Sequence, residues 1–300
     1  MRFIAVIIVL VLAFSGAAYA QEDTALNAQL RDAIAGYQGN ITLFATDIRT
    51  GKTAAFNADT PVPTASVIKL AVLFEALKQI QQGKARFDDK LTLTKANQVQ
   101  GSGVLTLFDA PLTLTLKDAL TMMVVVSDNT ATNLAIDRLG LSNIDRRIQW
   151  LGLQNTWLYK KVFLPPAADV PPDQKQYGLG KTTAREMASI MERLATCNLN
   201  APGVQAEPSE SDQRLCDTAM GMLKNQTDRD SIPRYLSQDT ANKTGADNDI
   251  RNDVAVVYAA AGPIVISAFT YGNKDQSWTP DNAAHLLMAK LARVIVDRWN

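Results

Sequence analysis

Three short polar segments of the chain could together carry out acyl transfer on a serine. The first contains Ser66 and Lys69, three residues apart. A serine hydroxyl is a weak nucleophile at neutral pH and needs a base within hydrogen-bond reach. Side chains three residues apart on a helix share a face, so Lys69 could accept the proton of Ser66. For this, burial or a neighbouring cation such as Lys243 must lower the pKa of Lys69.

The second segment is Ser127-Asp128-Asn129, which lies between two apolar stretches. Ser127 could pass a proton towards a leaving nitrogen, and Asn129 could bind the carbonyl of a substrate amide. Asp128 is expected to hold the turn together through contacts with the backbone.

The third segment, Lys243-Thr244-Gly245, could bind an anionic group of the substrate. Lys243 offers a positive charge for a carboxylate, Thr244 offers a hydroxyl donor, and Gly245 has no side chain to block a substrate lying along the strand edge. Ala246 follows with a free backbone N–H. Together with the N–H of Ser66 it could form an oxyanion hole.

Each segment also has an ordinary structural interpretation. A Ser-x-x-Lys pattern occurs by chance about once in a chain of this length, and it can be a helix N-cap serine followed by a solvated lysine. Ser-Asp-Asn taken alone is more typical of a helix cap. The catalytic interpretation depends on the three segments occurring together and in this order.

The apolar pattern predicts how the chain positions these segments. Apolar residues fall at helical spacing over 66–80 and over 117–138, where the second segment interrupts them. Strand-like runs occur near both ends of the chain, at 41–48, 53–57, 254–260 and 264–270. We therefore predict an α+β (α/β) fold in which the N- and C-terminal segments form an antiparallel sheet flanked by helices, with an all-helical lobe inserted. The sheet part is expected at about 21–64 and 217–300, and the lobe at about 65–216.

Residues 1–20 have the layout of a secretory signal peptide. Arg2 precedes an apolar run from Phe3 to Phe14, and small residues end the segment at Ala20. The alternative is a membrane anchor, but an apolar run of about twelve residues is too short to span a bilayer. We expect cleavage after Ala20 and a monomer that is secreted or periplasmic, with no stable membrane anchor.

The composition argues for a small-molecule substrate. The 30 Lys and Arg residues balance the 30 Asp and Glu residues, so no net charge attracts the chain to nucleic acid or an anionic membrane.

Cys197 and Cys216 are the two cysteines; in an oxidising compartment they favour a structural disulfide, with two free thiols as the alternative. A zinc site would need more soft ligands, so no metal or cofactor is expected. The single histidine, His285, gives little basis for a Ser-His-Asp triad.

With the three segments in order, the chain resembles the superfamily of serine β-lactamases and penicillin-binding proteins, and within it the class A β-lactamases. The resemblance covers almost the whole mature chain and extends through 127–134, Leu139-Gly140 and Thr182-Thr183. It implies that Ser66 attacks the β-lactam carbonyl, that an acyl-enzyme forms and that water releases the product. The positions that match the family's functional residues are Ser66, Lys69, Ser127, Asn129, Lys243 and Thr244. Arg251 is a further candidate for binding a carboxylate, with a surface charge as the alternative.

One departure from the family pattern concerns the release step. The class A family that this chain resembles carries a loop glutamate that activates the deacylating water. The corresponding stretch here, 157–173, contains no glutamate. Asp169 or Asp173 could replace it if either folds into the site; otherwise both are solvated loop charges. Without a base, hydrolysis of the acyl-enzyme is expected to be slow.

Two other functions remain open at this point. A penicillin-binding protein or D-alanyl-D-alanine peptidase shares the three segments and needs no loop glutamate. A non-catalytic relative that binds peptidoglycan stems or a partner protein is the second alternative. The joint presence of Ser66 and Lys69 argues against it, since a binding module does not need both.

Overall fold

The structure is a computed structural model that describes residues 21–166, 170–204 and 206–300. The predicted signal peptide lies outside the described residues. The strands are β1 (Gln21–Glu22), β2 (Asn40–Asp47), β3 (Lys52–Phe56), β4 (Val62–Pro63), β5 (Lys90–Leu93), β6 (Leu112–Thr115), β7 (Trp157–Leu158), β8 (Gly180–Thr182), β9 (Thr240–Asp247), β10 (Ile250–Ala259) and β11 (Gly262–Tyr271). The helices are α1 (Thr24–Ile34), α2 (Lys69–Gln81), α3 (Leu116–Val125), α4 (Asn129–Leu139), α5 (Leu141–Trp150), α6 (Gln174–Tyr177), α7 (Ala184–Ala195), α8 (Glu210–Lys224) and α9 (Ala283–Trp299). None of the helices in these ranges has the length and apolar composition needed to cross a membrane.

The central sheet has the strand order β1-β3-β2-β11-β10-β9. Its strand pairs are antiparallel apart from the short parallel pair of β1 with β3. The prediction of a sheet built from both ends of the chain is confirmed. β9, which carries the third segment, is an edge strand of this sheet, so one side of its backbone faces away from the other strands.

Helices cover both faces of the sheet. Along β10, Val254 and Val256 belong to the apolar cluster shared with α2, α3, α4, α7 and α8, whereas Ala255 and Val257 belong to the cluster shared with α1 and α9. Successive side chains of a strand point to opposite faces, so a strand buried on both faces is apolar throughout. This explains why β10 and β11 are nearly continuous apolar runs in the sequence.

The second structural feature that matters for the site is the burial of α2. Every residue of this helix from Lys69 to Gln79 is buried, because the other helices of the lobe and the sheet surround it. A helix with polar residues in such a position must pair them internally. The first residue of this buried helix is Lys69.

The boundary predicted between the sheet part and the lobe differs from the structure. Residue 216 lies inside α8, which was not predicted and which packs against both β9 and α2. α7 belongs to the range predicted for the lobe, yet it packs against β2, β10 and β11. The sheet needs apolar cover on this face, and α7 and α8 provide it from the middle of the chain.

Cys197 and Cys216 form a disulfide with an S–S distance of 2.05 Å. The bond joins the turn after α7 to the middle of α8. Of the two alternatives left open by the sequence, the structure has the bridge. It links α7 and α8, two of the helices that cover one face of the sheet.

Candidate active site

Ser66 lies in a single 3-10 turn, Ala65–Ile68, that leads directly into α2. The sequence predicted one continuous helix from Ser66, so the first turn differs in being tighter. Ala65 has a φ of 43°, a left-handed conformation that residues with a side chain rarely adopt. Such conformations are retained where the surrounding structure imposes them, often at functional sites. Ser66 is half-buried at this turn, whereas Val67 and Ile68 anchor it in the core.

The backbone of β9 lies directly against this turn. A Cβ placed on Gly245 would be 2.8 Å from the carbonyl oxygen of Thr64 and 2.9 Å from the backbone nitrogen of Ser66. Any side chain at 245 would therefore push the strand away from the turn. This close approach brings the amide of Ser66 beside the strand that carries Ala246, as an oxyanion hole built from these two amides requires.

Asn252 fixes the same turn from the neighbouring strand, a role that the sequence did not reveal. Its Nδ2 donates to the carbonyls of Pro63 at 3.0 Å and Thr64 at 3.2 Å, and its Oδ1 accepts from the N–H of Thr270 at 3.1 Å. The side chain is buried in the sheet. Asn252 stands between the charged residues Arg251 and Asp253, and nothing in this local sequence signals the contact, because its partner residues are far away in the chain.

Lys69 has no exposed side-chain surface, and its amine is bound to the second segment. Nζ donates to the carbonyl of Ser127 at 2.7 Å and to Oδ1 of Asn129 at 3.0 Å, and it lies 3.1 Å from Oγ of Ser127. Burial, reinforced by the charge of Lys243, lowers the pKa of Lys69 well below its usual value, while Asp128 opposes this shift. A neutral amine in this position can accept a proton. Within the described residues Nζ makes no hydrogen bond to Oγ of Ser66, so the direct Ser66–Lys69 contact remains a prediction.

Ser127 connects the two lysines of the site. Its Oγ lies 3.1 Å from Nζ of Lys69 and 3.1 Å from Nζ of Lys243. The residue has a φ of 55° in the short connection between α3 and α4, which turns its side chain between the lobe and the sheet. A hydroxyl with an amine on each side can accept a proton from one group and donate its own to another.

Asp128 holds the connection in shape, as predicted. One carboxylate oxygen accepts from the N–H of Ala131 at 2.8 Å and caps α4, and the other accepts from the N–H groups of Val104 at 2.6 Å and Leu105 at 2.8 Å. A carboxylate at a helix N-terminus is also favoured by the helix dipole. Asp128 therefore both starts α4 and ties the loop before α3 to the site.

Lys243 supplies the cation of the third segment. Its side chain is fully buried, and Nζ also donates to the carbonyl of Thr244 at 2.7 Å. Burial lowers the pKa of Lys243 to about 8, with Asp228 and Asp253 opposing the shift. At neutral pH most of Lys243 is therefore protonated, and its charge favours the neutral form of Lys69.

The loop that lacks the glutamate brings apolar residues to the site. Asn133, one turn after Asn129 on α4, donates to the carbonyl of Val162 at 3.0 Å and accepts from its N–H at 2.8 Å. A Cβ on Gly101 would lie 2.6 Å from Nδ2 of Asn129 and 2.8 Å from a ring carbon of Phe163, so this ring and the Asn129 amide flank the same spot. Asn133 is a second positioning residue that the sequence did not identify.

Of the two acids proposed for water activation, the structure describes Asp173 alone. Asp169 lies outside the described residues. Asp173 accepts from the hydroxyl of Tyr159 at 2.7 Å and forms an ion pair with Lys181 at 2.6 Å. Burial has the largest single effect on the pKa of Asp173 and raises it, but the hydrogen bonds from Lys181 and Tyr159 together bring this pKa below its usual value. Its carboxylate thus joins the loop to β8, an arrangement that favours a structural role.

Arg251, predicted to bind a substrate carboxylate, contacts backbone carbonyls and an aromatic ring of the protein itself. Its side chain is 1% exposed, and the guanidinium donates to the carbonyls of Asp247, of Ile250 at 2.7 Å and of Ser277 at 2.7 Å. Its guanidinium carbon lies 4.3 Å from the centre of the Trp278 ring. These contacts hold the turn between β9 and β10. They favour a structural role over binding of a substrate carboxylate, which remains a prediction.

Side chains with metal-binding chemistry lie elsewhere and are otherwise engaged. Within the described ranges no three or more His, Cys, Asp or Glu side chains are grouped as ligands of a metal ion. Nδ1 of His285 lies 2.6 Å from Oγ of Ser231. The arrangement around Ser66 is therefore one of serine and lysine, suited to acyl transfer through proton movement.

Several known proteins are similar to this chain over most of its length. The model of the β-lactamase enzyme family matches residues 25–299. A β-lactamase of Bacillus licheniformis is 24% identical over 270 residues, which cover 88% of this chain and 80% of that protein. A β-lactamase structure from Sphaerobacter thermophilus has 25% identity and a TM-score of 0.77, covering 92% of this chain and 97% of the other. A structure of the protein named PBP-A, with 21% identity, shares the fold at a TM-score of 0.78, covering 93% of this chain and 97% of that one. The chain belongs to the β-lactamase enzyme family.

Proposed function

We propose that the protein is an exported serine hydrolase of class A β-lactamase type, which opens β-lactam rings through an acyl-enzyme on Ser66 and releases the product slowly. The observation that carries this proposal is the buried amine of Lys69, bound to Ser127, which in turn contacts Lys243. Burying two lysine side chains near each other costs free energy and shifts their pKa values. Such shifted groups are typical of catalytic sites. A non-catalytic binding protein has no need for this pair.

The proposed acylation uses these groups in turn. Oγ of Ser66 attacks the carbonyl carbon of the ring while the neutral amine of Lys69 takes its proton, and the amides of Ser66 and Ala246 stabilise the oxyanion. When the C–N bond breaks, Oγ of Ser127 gives its proton to the ring nitrogen. Lys69, now an ammonium ion 3.1 Å away, returns a proton to Ser127. The nitrogen ends protonated, and Lys69 is neutral again.

Substrate binding uses the remaining donors. Lys243 and Thr244 pair with the substrate carboxylate. Oδ1 of Asn129 accepts from Lys69, and Nδ2 donates to the carbonyl of Gln100 at 3.1 Å. The second hydrogen of this Nδ2 can then bind the carbonyl of the substrate side-chain amide.

Slow release is supported by the residue that Asn133 holds in the loop without a glutamate. The residue that Asn133 holds near Asn129 and Lys69 is Val162, which can neither accept a proton nor orient a water molecule. Asp173 is engaged by Tyr159 and Lys181. General-base assistance is worth about 100- to 10,000-fold, so without it an acyl-enzyme is long-lived.

The presence of Val162 in place of a base is also compatible with a second candidate function. A penicillin-binding protein or D-alanyl-D-alanine peptidase would use the same Ser66 chemistry on a peptide, and a β-lactam would then trap it. Val162 is compatible with this role, because a trapped acyl-enzyme requires only that water is poorly activated. In both cases we propose a monomer that is secreted or periplasmic and that acts on a small molecule without a cofactor.

The decisive experiment follows intact mass while the purified protein reacts with a chromogenic cephalosporin. Colour that continues beyond one equivalent supports the β-lactamase. A single equivalent with a persistent mass adduct, together with release of D-alanine from a D-alanyl-D-alanine peptide, supports the peptidase. Ser66→Ala should abolish both the adduct and the turnover. If the wild type forms no adduct with any β-lactam and gives no turnover, the proposed β-lactam acyl-enzyme on Ser66 is wrong.

A further inference from the structure

A cavity separate from the Ser66 site lies in the helical lobe. It has a volume of about 480 Å³ and opens between the C-terminal half of α2 and the junction of α4 with α5. Sites for small molecules commonly have volumes of about 300 to 1,000 Å³. The residues that line the cavity do not include the serines and lysines of the acyl-transfer site.

The cavity is strongly cationic, although the chain as a whole has no net charge. Four basic side chains line it against one carboxylate, that of Glu75; they are Lys84, Arg138, Arg146 and Arg147. Amide side chains complete much of the wall, at Gln79, Gln82 and Asn143. This combination presents hydrogen-bond donors to an anion.

The single carboxylate is already neutralised. Oε2 of Glu75 accepts from Nε of Arg147 at 2.7 Å, and Oε1 accepts from Nε2 of Gln79 at 2.9 Å. Its side chain is only 4% exposed. Glu75 therefore orients the Arg147 side chain through this ion pair. Because its carboxylate is buried and paired, it adds little repulsion towards an anion in the cavity. The Nη atoms of Arg147 have no hydrogen-bond partner within the described part of the chain.

Two cations on the rim are not paired with an acid. Lys84 makes no side-chain hydrogen bond or ion pair to any described residue, and both Lys84 and Arg146 are exposed. Arg146 contacts the neutral Oδ1 of Asn143. Arg138, by contrast, is tied to Asp89. Like charges gathered around one cavity repel one another, and a bound anion would relieve this repulsion.

Trp150 forms a flat wall beside these cations. Its side chain is partly exposed, the guanidinium carbon of Arg147 lies 4.7 Å from the ring centre, and Nζ of Lys78 lies 5.5 Å from it. An aromatic face at this distance attracts cations and limits where they point. The ring therefore helps to hold Arg147 in place before any ligand arrives.

We propose that this cavity binds a phosphate-bearing small molecule, whose phosphate oxygens pair with Lys84, Arg146 and the Nη atoms of Arg147. Guanidinium groups match the geometry of phosphate oxygens through paired hydrogen bonds, and a phosphate carries enough charge to engage several cations at once. The site does not depend on the reaction at Ser66.

The test uses inorganic pyrophosphate as the probe, with calorimetry and tryptophan fluorescence at low ionic strength. We expect saturable binding to the wild type and a change in tryptophan emission. The double variant Lys84→Gln with Arg146→Gln should weaken binding by at least about tenfold, because charge-assisted hydrogen bonds are lost. Both side chains are exposed, so the variant should fold normally, and circular dichroism checks this.

A matched control separates a site from general attraction. Arg31→Gln with Lys95→Gln removes the same charge at exposed positions that do not line the cavity and should leave the affinity unchanged. Trp150→Phe should abolish the change in emission while calorimetry still detects binding. The proposal is wrong if the wild type shows no saturable binding or if the control variant loses as much affinity as the Lys84 and Arg146 variant.

Discussion

Asn133 and Val162 hold each other through two hydrogen bonds, one from Asn133 Nδ2 to the Val162 carbonyl at 3.0 Å and one from the Val162 N–H to Asn133 Oδ1 at 2.8 Å. Asn133 follows Asn129 by one turn of α4, and Asn129 binds the amine of Lys69. The pair therefore holds the backbone of residue 162 against α4, one turn from the asparagine that binds Lys69. What this position lacks is a side chain that can act as a base.

The first prediction is that a carboxylate at this position speeds release. Val162→Glu retains the backbone hydrogen bonds to Asn133 and adds a proton acceptor near Lys69. We expect deacylation to accelerate at least about tenfold, within the range that general-base assistance usually provides. The measurement is the decay of the β-lactam mass adduct with time.

Val162→Gln is the control, because it has the size of glutamate without its basicity. It should leave the decay rate near that of the wild type. Equal acceleration by both variants would mean that the change comes from opening the loop, and no acceleration by Val162→Glu would place residue 162 outside reach of the acyl group.

The second prediction concerns Asp173. Its ion pair with Lys181 and its hydrogen bond from Tyr159 join the loop to β8, so Asp173→Asn should lower the melting temperature and leave deacylation unchanged. The rate is read from the adduct and the stability from a thermal scan. A drop in deacylation of more than about tenfold would instead identify Asp173 as the base.

The third prediction is a bell-shaped pH dependence of acylation. Lys243 has a pKa of about 8, so above this pH it loses the charge that binds the substrate carboxylate and acylation falls. On the acid side, acylation falls as Lys69 becomes protonated, at a pH well below the usual lysine value. The second-order acylation rate constant, measured from about pH 5 to about pH 10, reports both limbs.

Lys243→Arg tests the alkaline limb. An arginine stays protonated over this range, so the fall above pH 8 should move to higher pH while the acid limb remains. An unchanged alkaline limb in this variant would assign it to another group.

The fourth prediction concerns the disulfide between Cys197 and Cys216, which closes a loop with a sequence separation of 19. Replacing both cysteines by serine should reduce the free energy of unfolding by about 3 kcal/mol, mainly by freeing the unfolded chain. Guanidinium denaturation measures this change. Acylation of Ser66 should persist in the folded variant, since the bridge joins α7 to α8, and a loss of acylation without unfolding would contradict this.

Much of the fold could be predicted from local patterns. The apolar runs of β10 and β11 and the helical spacing in α3 and α4 follow from the sequence, because each depends on residues close together in the chain. α8 was missed even though Ser209 caps its first turn by accepting from the N–H of Asp212. Residue 216, the predicted end of the lobe, lies inside this helix.

The sequence by itself determined which groups could react: Ser66, Lys69, Ser127 and Lys243 are identified by residue type and order. Only the tertiary structure decided how they are used. The low pKa of Lys69 depends on its burial within α2 and on a lysine from a strand far along the chain. The contacts of Arg251 with Ser277 and Trp278, and the placement of Val162 beside α4, likewise join segments that are separate in the chain. Proton affinity and hydrogen bonding respond to the full surroundings of a side chain, and local spacing records only a small part of them.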